Sequence, residues 1–338
     1  MSDRARSAHK SGSIRSRIRN FLVLAARISI SALLLYFALR GVDFAALQLR
    51  LARSSGVSIA GWMTLAVLTN LVQVAVGAAR WREISLRCDA PLRLSLASRF
   101  CMIGTFFNQT LPSTIGGDAV RLWLLSKTGA GWRAASYSIL VDRAVGLIAL
   151  AIIVVCSLPW SYQLITDTQG RLALALIGLA AISAGAGFLL LGAIPDTWLQ
   201  KWWPTRHIHA CSLIANHTIF DRHSGPRVAL LSFGAQLLTV VTAWCAVRAI
   251  AAPASFEQVF FLIPPIVLIT MLPISIAGWG VREAAMIVAF GYAGLTQTDG
   301  VMVSVLFGAS YFIVGAIGGL VWILGTERLS RMPAASPS

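Results

Sequence analysis

Leu111-Pro112-Ser113-Thr114-Ile115-Gly116-Gly117-Asp118-Ala119-Val120-Arg121 interrupts one apolar stretch of the chain, and Leu272-Pro273-Ile274-Ser275-Ile276-Ala277-Gly278-Trp279-Gly280-Val281-Arg282 interrupts another. Aligned without a gap, six of the eleven positions are identical. Proline lacks the backbone donor that a helix needs and glycine is conformationally loose, so each motif reads as a broken membrane helix followed by a new start. An arm of about a dozen residues flanks each break on either side, roughly 18 Å of helix, which reaches the middle of a bilayer without crossing it. The motifs therefore predict two re-entrant hairpins, one near 100–128 with arms 100–111 and 119–128, and one near 259–295 with arms 259–271 and 281–295.

Outward from the hairpins, apolar runs long enough to span a bilayer fall at 21–39, 57–79, 134–158, 172–194, 228–250 and 301–324. Of the 338 residues, 57% are hydrophobic and 12% charged, with a mean hydropathy of +0.75. A soluble globular protein is excluded, since such domains carry about a quarter charged residues. The fold class expected is all-α: a polytopic membrane bundle of about six full spans plus the two hairpins. Three spans separate the hairpins, so the second enters from the opposite face and the two halves are inverted, a plan that recurs in transporters.

The expected organisation is a basic tail at 1–19, one transmembrane domain at 20–325 and a second tail at 326–338. The run at 21–39 is longer than a secretory h-region and no small-residue cleavage site follows, so it is expected to be retained. Arg27 would snorkel towards the nearer interface. The net charge of +15 comes from 28 Lys and Arg against 13 Asp and Glu, and the basic residues gather in short connections rather than along one face. That distribution reads as membrane topology, not nucleic-acid binding.

Arg80, Arg82, Arg87, Arg93 and Arg99 mark one cytoplasmic segment, and Lys201, Arg206, Arg222 and Arg227 mark another within 195–227. The opposite loops, 41–56, 159–171 and 251–258, hold only Arg50, Arg53 and Arg171. Both termini then fall in the cytoplasm of a bacterial-type inner membrane.

Charges within the apolar segments are the candidate site. Asp118 and Arg121 follow the first break, Arg282 and Glu283 follow the second, and Asp142 and Arg143 lie about two turns into the 134–158 span. An ionised group at the bilayer centre costs about 2.5–3.5 kcal/mol even on insertion scales, so all six should face protein or water. Two readings stand. The arginines offer forked donors to a phosphate, helped by the helix starts after Gly117 and Gly280, or the six close on one another as structural ion pairs. Asn108, Gln109 and Thr110 precede the first break, where they either meet a headgroup or cap freed backbone groups. The candidate substrate-binding set is Asn108, Pro112, Gly116, Gly117, Asp118, Arg121, Asp142, Arg143, Pro273, Gly278, Gly280, Arg282 and Glu283.

No catalytic constellation, metal set or cofactor motif is read. Cys88, Cys101, Cys156, Cys211 and Cys245 form no close pair. His207, His209, His217 and His223 fit no compact zinc spacing and are expected in a solvated loop. Trp198, Trp202 and Trp203 beside Lys201 look like an interfacial anchor. Gly315 and Gly319 form a GxxxG, which within a many-helix bundle serves internal packing. A Walker-type loop is absent, which argues against direct drive by ATP.

Asn108, Leu111-Pro112, Gly116-Gly117-Asp118 and Arg121, then Asp142-Arg143 and Gly146-Leu147, then Gly278, Gly280 and Arg282-Glu283 carry a resemblance to the lysylphosphatidylglycerol synthase transmembrane-region family, flippase-like membrane proteins. The resemblance runs from about 15 to 327 and is most specific between 108 and 146. It implies the membrane half of an aminoacyl-phospholipid synthase, which moves the finished lipid between leaflets, without the soluble aminoacyl-transfer domain. The function this implies is translocation of a phospholipid or aminoacylated phospholipid, with membrane lipids as ligand and a separately encoded lipid-modifying enzyme as a further partner. An accessory subunit of a lipid, hopanoid or glycolipid pathway is the alternative, and a membrane-embedded lipid transferase ranks below it.

Overall fold

The computed structural model describes residues 56–111, 116–165, 167–194, 203–271, 280–292 and 294–329, together with Ser29, Leu33 and Tyr36. Among the described residues every regular element is helical. The order is α1 (Gly56–Arg87), α2 (Leu94–Thr110), α3 (Gly116–Leu125), a π turn (Ser126–Ala130), α4 (Gly131–Leu164) and α5 (Thr168–Leu191). Then follow α6 (Trp203–Phe220), α7 (Ser224–Ala249), α8 (Phe256–Thr270), α9 (Val281–Tyr292) and α10 (Gln297–Leu329). Five stretches are long and apolar enough to cross a membrane: Gly56–Arg87, Gly116–Leu164, Thr168–Leu191, Ser224–Ala249 and Gln297–Gly325.

The chain is thus an all-α polytopic membrane protein. The five stretches coincide with the five later spans read from the sequence, except that 192–194 and Ile250 fall just past the ends of their helices. The first expected span, 21–39, lies outside the described residues except for Ser29, Leu33 and Tyr36, which are helical. Gly129 and Gly131 take φ of 94° and 72°, a left-handed backbone that separates α3 from α4 within the second stretch.

The long axis of the bundle is the antiparallel pair α1 and α7. Thr69 and Thr242 hydroxyls meet at 3.0 Å, Gln73 Nε2 donates to Thr239 Oγ1 at 2.8 Å, and Arg87 Nη2 donates to Ser224 Oγ at 3.2 Å. The residue numbers of each pair sum to 311 or 312, so one register holds along the whole contact. Around it sit the two hairpins, each with its own core. Trp81, Phe100, Ile103, Leu124 and Ile139 pack at the first. Val259, Ile263, Met286, Phe290 and Phe307 pack at the second.

The α10 glycines bring α10 against α2, as internal packing requires. A Cβ on Gly318 would overlap the Met102 carbonyl oxygen, and one on Gly319 would lie 2.9 Å from the Phe106 ring. Gly318→Val is expected to force the two helices apart and to shift most of the protein from the monodisperse peak into aggregate on size-exclusion chromatography.

Three expectations need correction. Arg80 is expected in a connecting segment beyond the second span, but α1 continues through Arg87 with no proline or glycine after Gly77, which carries Arg80 into the bundle. The 195–227 segment is not a solvated loop throughout, because 203–220 form α6. There His209 and Cys211 are buried, and the Tyr137 hydroxyl and His207 Nδ1 are 2.5 Å apart. The loop expected at 159–171 is shorter, since Pro159 lies inside α4, which runs on to Leu164. Trp203 is exposed at the start of α6, while Trp198, Lys201 and Trp202 lie outside the described residues.

Asp221 closes the corner between α6 and α7. Its Oδ2 accepts from the Ser224 amide at 2.8 Å, the Ser224 hydroxyl at 3.0 Å and the His223 amide at 3.2 Å, and pairs with Arg87 at 2.7 Å. These donors, the Ser224 amide first, lower its pKa from 3.8 to about 2. A lowered folded-state pKa stabilises above the unfolded value and ceases to as pH falls through the folded one, a window of about pH 4 to 2. Amide protection at the start of α7, relative to the intrinsic exchange rate at each pH, should fall across that window in the wild type and should already be low at neutral pH in Asp221→Asn.

Candidate functional site

The site begins where α2 meets α3. The two arms approach so closely that a Cβ on Gly117 would overlap the Gly104 carbonyl oxygen, and one on Gly104 would lie 2.9 Å from Arg121 Cδ. The Gly117 amide, an orphan donor in the first turn of α3, is satisfied by Asn108 Oδ1 at 2.8 Å. Asn108 therefore caps the amide end of the new helix. Its neighbour Thr110 bonds back to the Phe106 carbonyl at 3.1 Å, and Gln109 packs beside Gly315.

One turn into α3, Arg121 is drawn into a five-residue ionic cluster. Its Nη1 donates to Asp118 Oδ1 at 3.1 Å and its Nη2 to Asp142 Oδ2 at 3.3 Å. Arg143 Nε donates to the other oxygen of Asp118 at 2.6 Å, and Arg80 Nε to the other oxygen of Asp142 at 2.9 Å. Three helices, α1, α3 and α4, thus meet through charge. Asp118, Arg121 and Asp142 are buried, while the Arg143 side chain is 38% exposed. Gly146, one turn beyond Asp142, leaves room for Arg80: a Cβ there would be 3.0 Å from its Nη1.

Among the described residues the charges do not balance. Three guanidinium groups face two carboxylates, and the pairs Arg80–Asp142 and Arg143–Asp118 are the two shortest bonds. Arg121, with the two longer ones, is the surplus cation. Its guanidinium carbon lies 4.1 Å from the centre of the Trp81 ring, a favourable cation–π placement that adds no counter-charge. Arg121 Nε is buried without a hydrogen-bond partner among the described residues. Beside it is a cavity of about 130 Å³ lined by Arg121, Asp142, Asn108, Gly104, Thr105 and Cys101, with Val74 and Gly77 of α1.

The second break builds a different arrangement. Arg282 Nη2 donates to Glu283 Oε1 at 2.9 Å, Arg282 Nε to Ser304 Oγ at 3.0 Å, and Ser304 Oγ to Glu283 Oε1 at 2.8 Å. The other carboxylate oxygen of Glu283 accepts the Gly280 amide at 2.5 Å. Here φ is 84° at Gly280, so the chain turns into α9 through a conformation that suits glycine. Gly308 on α10 makes room for Arg282, whose Nη2 a Cβ there would overlap. Arg282 and Glu283 thus pair with each other and share Ser304.

The six charges singled out in the sequence are therefore divided into two groups. Asp118, Arg121, Asp142 and Arg143 come together, with Arg80 added, and Arg282 with Glu283 stands apart. Between α10 and α1 the Tyr311 hydroxyl donates to Gln73 Oε1 at 3.0 Å, and Phe307, one turn earlier on α10, lies 5.9 Å from the Arg282 guanidinium. Gly116 is buried in the first turn of α3. Pro112, Pro273 and Gly278 lie outside the described residues. Arg80, Trp81, Gln73 and Ser304 are the residues that sequence reasoning passed over. For Arg80 the available signal was the unbroken helical stretch beyond Gly77.

The family model for the lysylphosphatidylglycerol synthase TM region matches residues 24–319, a stretch that includes both hairpins and the whole ionic cluster. No curated protein and no solved structure matches this chain. The family match covers most of the sequence, and together with the membrane helices it decides the assignment: the chain belongs to the lysylphosphatidylglycerol synthase transmembrane-region family and is a membrane protein of lipid-related function.

Proposed function

We propose that this protein translocates a polar lipid carrying an anionic phosphate between the leaflets of a bacterial-type inner membrane, with both termini cytoplasmic. The observation that carries the reading is the surplus charge of Arg121, buried beside a polar cavity with one donor unused. A buried ionic cluster with a net positive charge is costly, and a phosphate monoanion entering the cavity would bring it to neutrality. The guanidinium fork suits phosphate oxygens, and the α3 amide end adds partial positive charge.

In this reading the two helix pairs are inverted re-entrant hairpins that meet near the midplane, the arrangement in which broken helices form transporter sites. Asn108, Gly116, Gly117, Asp118, Arg121, Asp142 and Arg143 form the headgroup side. Arg282 and Glu283, with Gly280, hold the second hairpin to α10 so that it can move as a unit. Membrane lipids are the ligand, phospholipid or aminoacylated phospholipid, and a separate lipid-modifying enzyme supplies the aminoacylated form.

Leaflet exchange in proteoliposomes tests this. Fluorescent phosphatidylglycerol, phosphatidylethanolamine and an aminoacylated analogue are each loaded in both leaflets, and the outer-leaflet probe is quenched chemically. The wild type should render inner-leaflet probe quenchable well above the protein-free rate for at least one phosphate-bearing lipid. Folded protein that leaves all three at the protein-free rate, with and without an imposed ion gradient, would contradict the reading.

A further inference from the structure

A second concavity, of about 390 Å³, lies between α5, α8 and α9, and no residue of the ionic cluster is among its lining residues. Ala173 and Ile177 of α5, Phe261 and Ile269 of α8, and Val281 and Val288 of α9 are among its lining residues, and none of the side chains that line it is charged. From Val281 to Tyr292 it follows eleven residue steps of α9, about 17 Å of helix. At one end the Tyr292 ring packs on Gly170, where a Cβ would lie 2.7 Å from the ring, so that end is floored by an aromatic. At the other end α8 stops, and the half-exposed Arg143 reaches Met271, its Nη1 3.9 Å from the sulfur. Met271 is two residues beyond the lining residue Ile269. Ala173 and Val288 are themselves exposed, so the groove opens sideways onto the apolar surface that α5 and α9 present.

A narrow, uncharged groove with a cation at one mouth matches the two-part chemistry of a lipid. We propose that the groove holds one acyl chain of a phospholipid whose phosphate sits at Arg143. This rests on the lipid-handling reading given above and adds to it a chain-binding site on the second hairpin. Arg143 is bonded to Asp118, so a phosphate there would also touch the ionic cluster of the first hairpin. One lipid molecule would then connect the two hairpins.

The test is photolabelling of the full-length chain in nanodiscs with phosphatidylglycerol that carries a diazirine towards the end of one acyl chain, with labelled positions read by peptide mass spectrometry. Label should concentrate on Ala173, Ile177, Val288 and Tyr292. Val288→Trp and Ala173→Trp fill the groove from opposite walls at exposed positions, and each should cut that label at least tenfold. Label on the outward-facing Leu179 and Leu190 should not change. Arg143→Gln should lower the groove label several-fold, and undiminished label there would overturn the phosphate placement.

Label no denser in the groove than on Leu179 and Leu190, or indifferent to both tryptophans, would overturn the proposal. So would a disulfide formed in good yield between Val288→Cys and a cysteine introduced at 21–39, because that segment would then cover the groove. Monodisperse elution of each variant, and the milder Val288→Phe, guard against misfolding. The readout does not need lipid movement. A labelled groove without leaflet exchange leaves the groove and removes translocation, and exchange without groove labelling does the reverse.

Discussion

Arg121→Met is expected to yield a folded protein that no longer moves lipid between leaflets. Removing one partner of a buried ion pair commonly costs about 3–5 kcal/mol because the other charge is stranded. Arg121 departs from that rule. Without it, Arg80 still bonds Asp142 at 2.9 Å and Arg143 still bonds Asp118 at 2.6 Å, so no carboxylate is left alone and the cluster becomes neutral. Methionine keeps much of the volume over Trp81. The loss is confined to the surplus charge and its unused donor, which are the features assigned to the phosphate. Expression, elution and thermal stability should stay near wild type while exchange falls to the protein-free rate.

Asp142→Leu should behave in the opposite way. Asp142 is the shared acceptor for Arg80 and Arg121, and it is buried on α4 between α1 and α3. Its removal leaves three guanidinium groups with Asp118 as their one carboxylate, an excess of two positive charges, and takes from Arg80 its carboxylate partner while Arg121 and Arg143 keep Asp118. A penalty of about 3–5 kcal/mol or more is expected. The measured result should be loss of the monodisperse peak, and Arg80→Met should partly restore it in the double variant by removing one stranded cation. The contrast between Arg121→Met and Asp142→Leu follows from charge counting alone and does not depend on the lipid's identity.

Much of this architecture was legible from residues 111–121 and 272–282. Proline and glycine break helices locally, so a break announces itself in sequence, and a repeated break implies a repeated unit. The arms flanking both breaks emerge as the helix pairs α2/α3 and α8/α9. Helix ends beyond the hydrocarbon run were less legible. Hydropathy ends the second span at residue 79 because Arg80, Arg82 and Glu83 follow, yet the backbone has no reason to stop there, and α1 runs to Arg87. For α6, hydropathy is silent because the helix is mixed, although Pro204 near its start is a residue that suits a first helical turn.

The balance of charge in the site was misjudged for the same reason. Read from hydropathy, the membrane held three arginines and three carboxylates, a neutral set. Arg80 enters the first cluster only because α1 overruns its apolar stretch, and Arg282 and Glu283 leave it because the second hairpin packs on α10. The surplus at Arg121 is a property of which helices touch. Spacing along the chain does not contain it.

The central claim is that this surplus charge serves a lipid phosphate. The most direct measurement is the initial rate of phosphatidylglycerol exchange in proteoliposomes with matched amounts of folded wild type, Arg121→Lys and Arg121→Met. The account predicts the protein-free rate for Arg121→Met and an intermediate rate for Arg121→Lys, which keeps the charge but loses the fork. Wild-type exchange by Arg121→Met would contradict it and leave the cluster as a set of structural ion pairs.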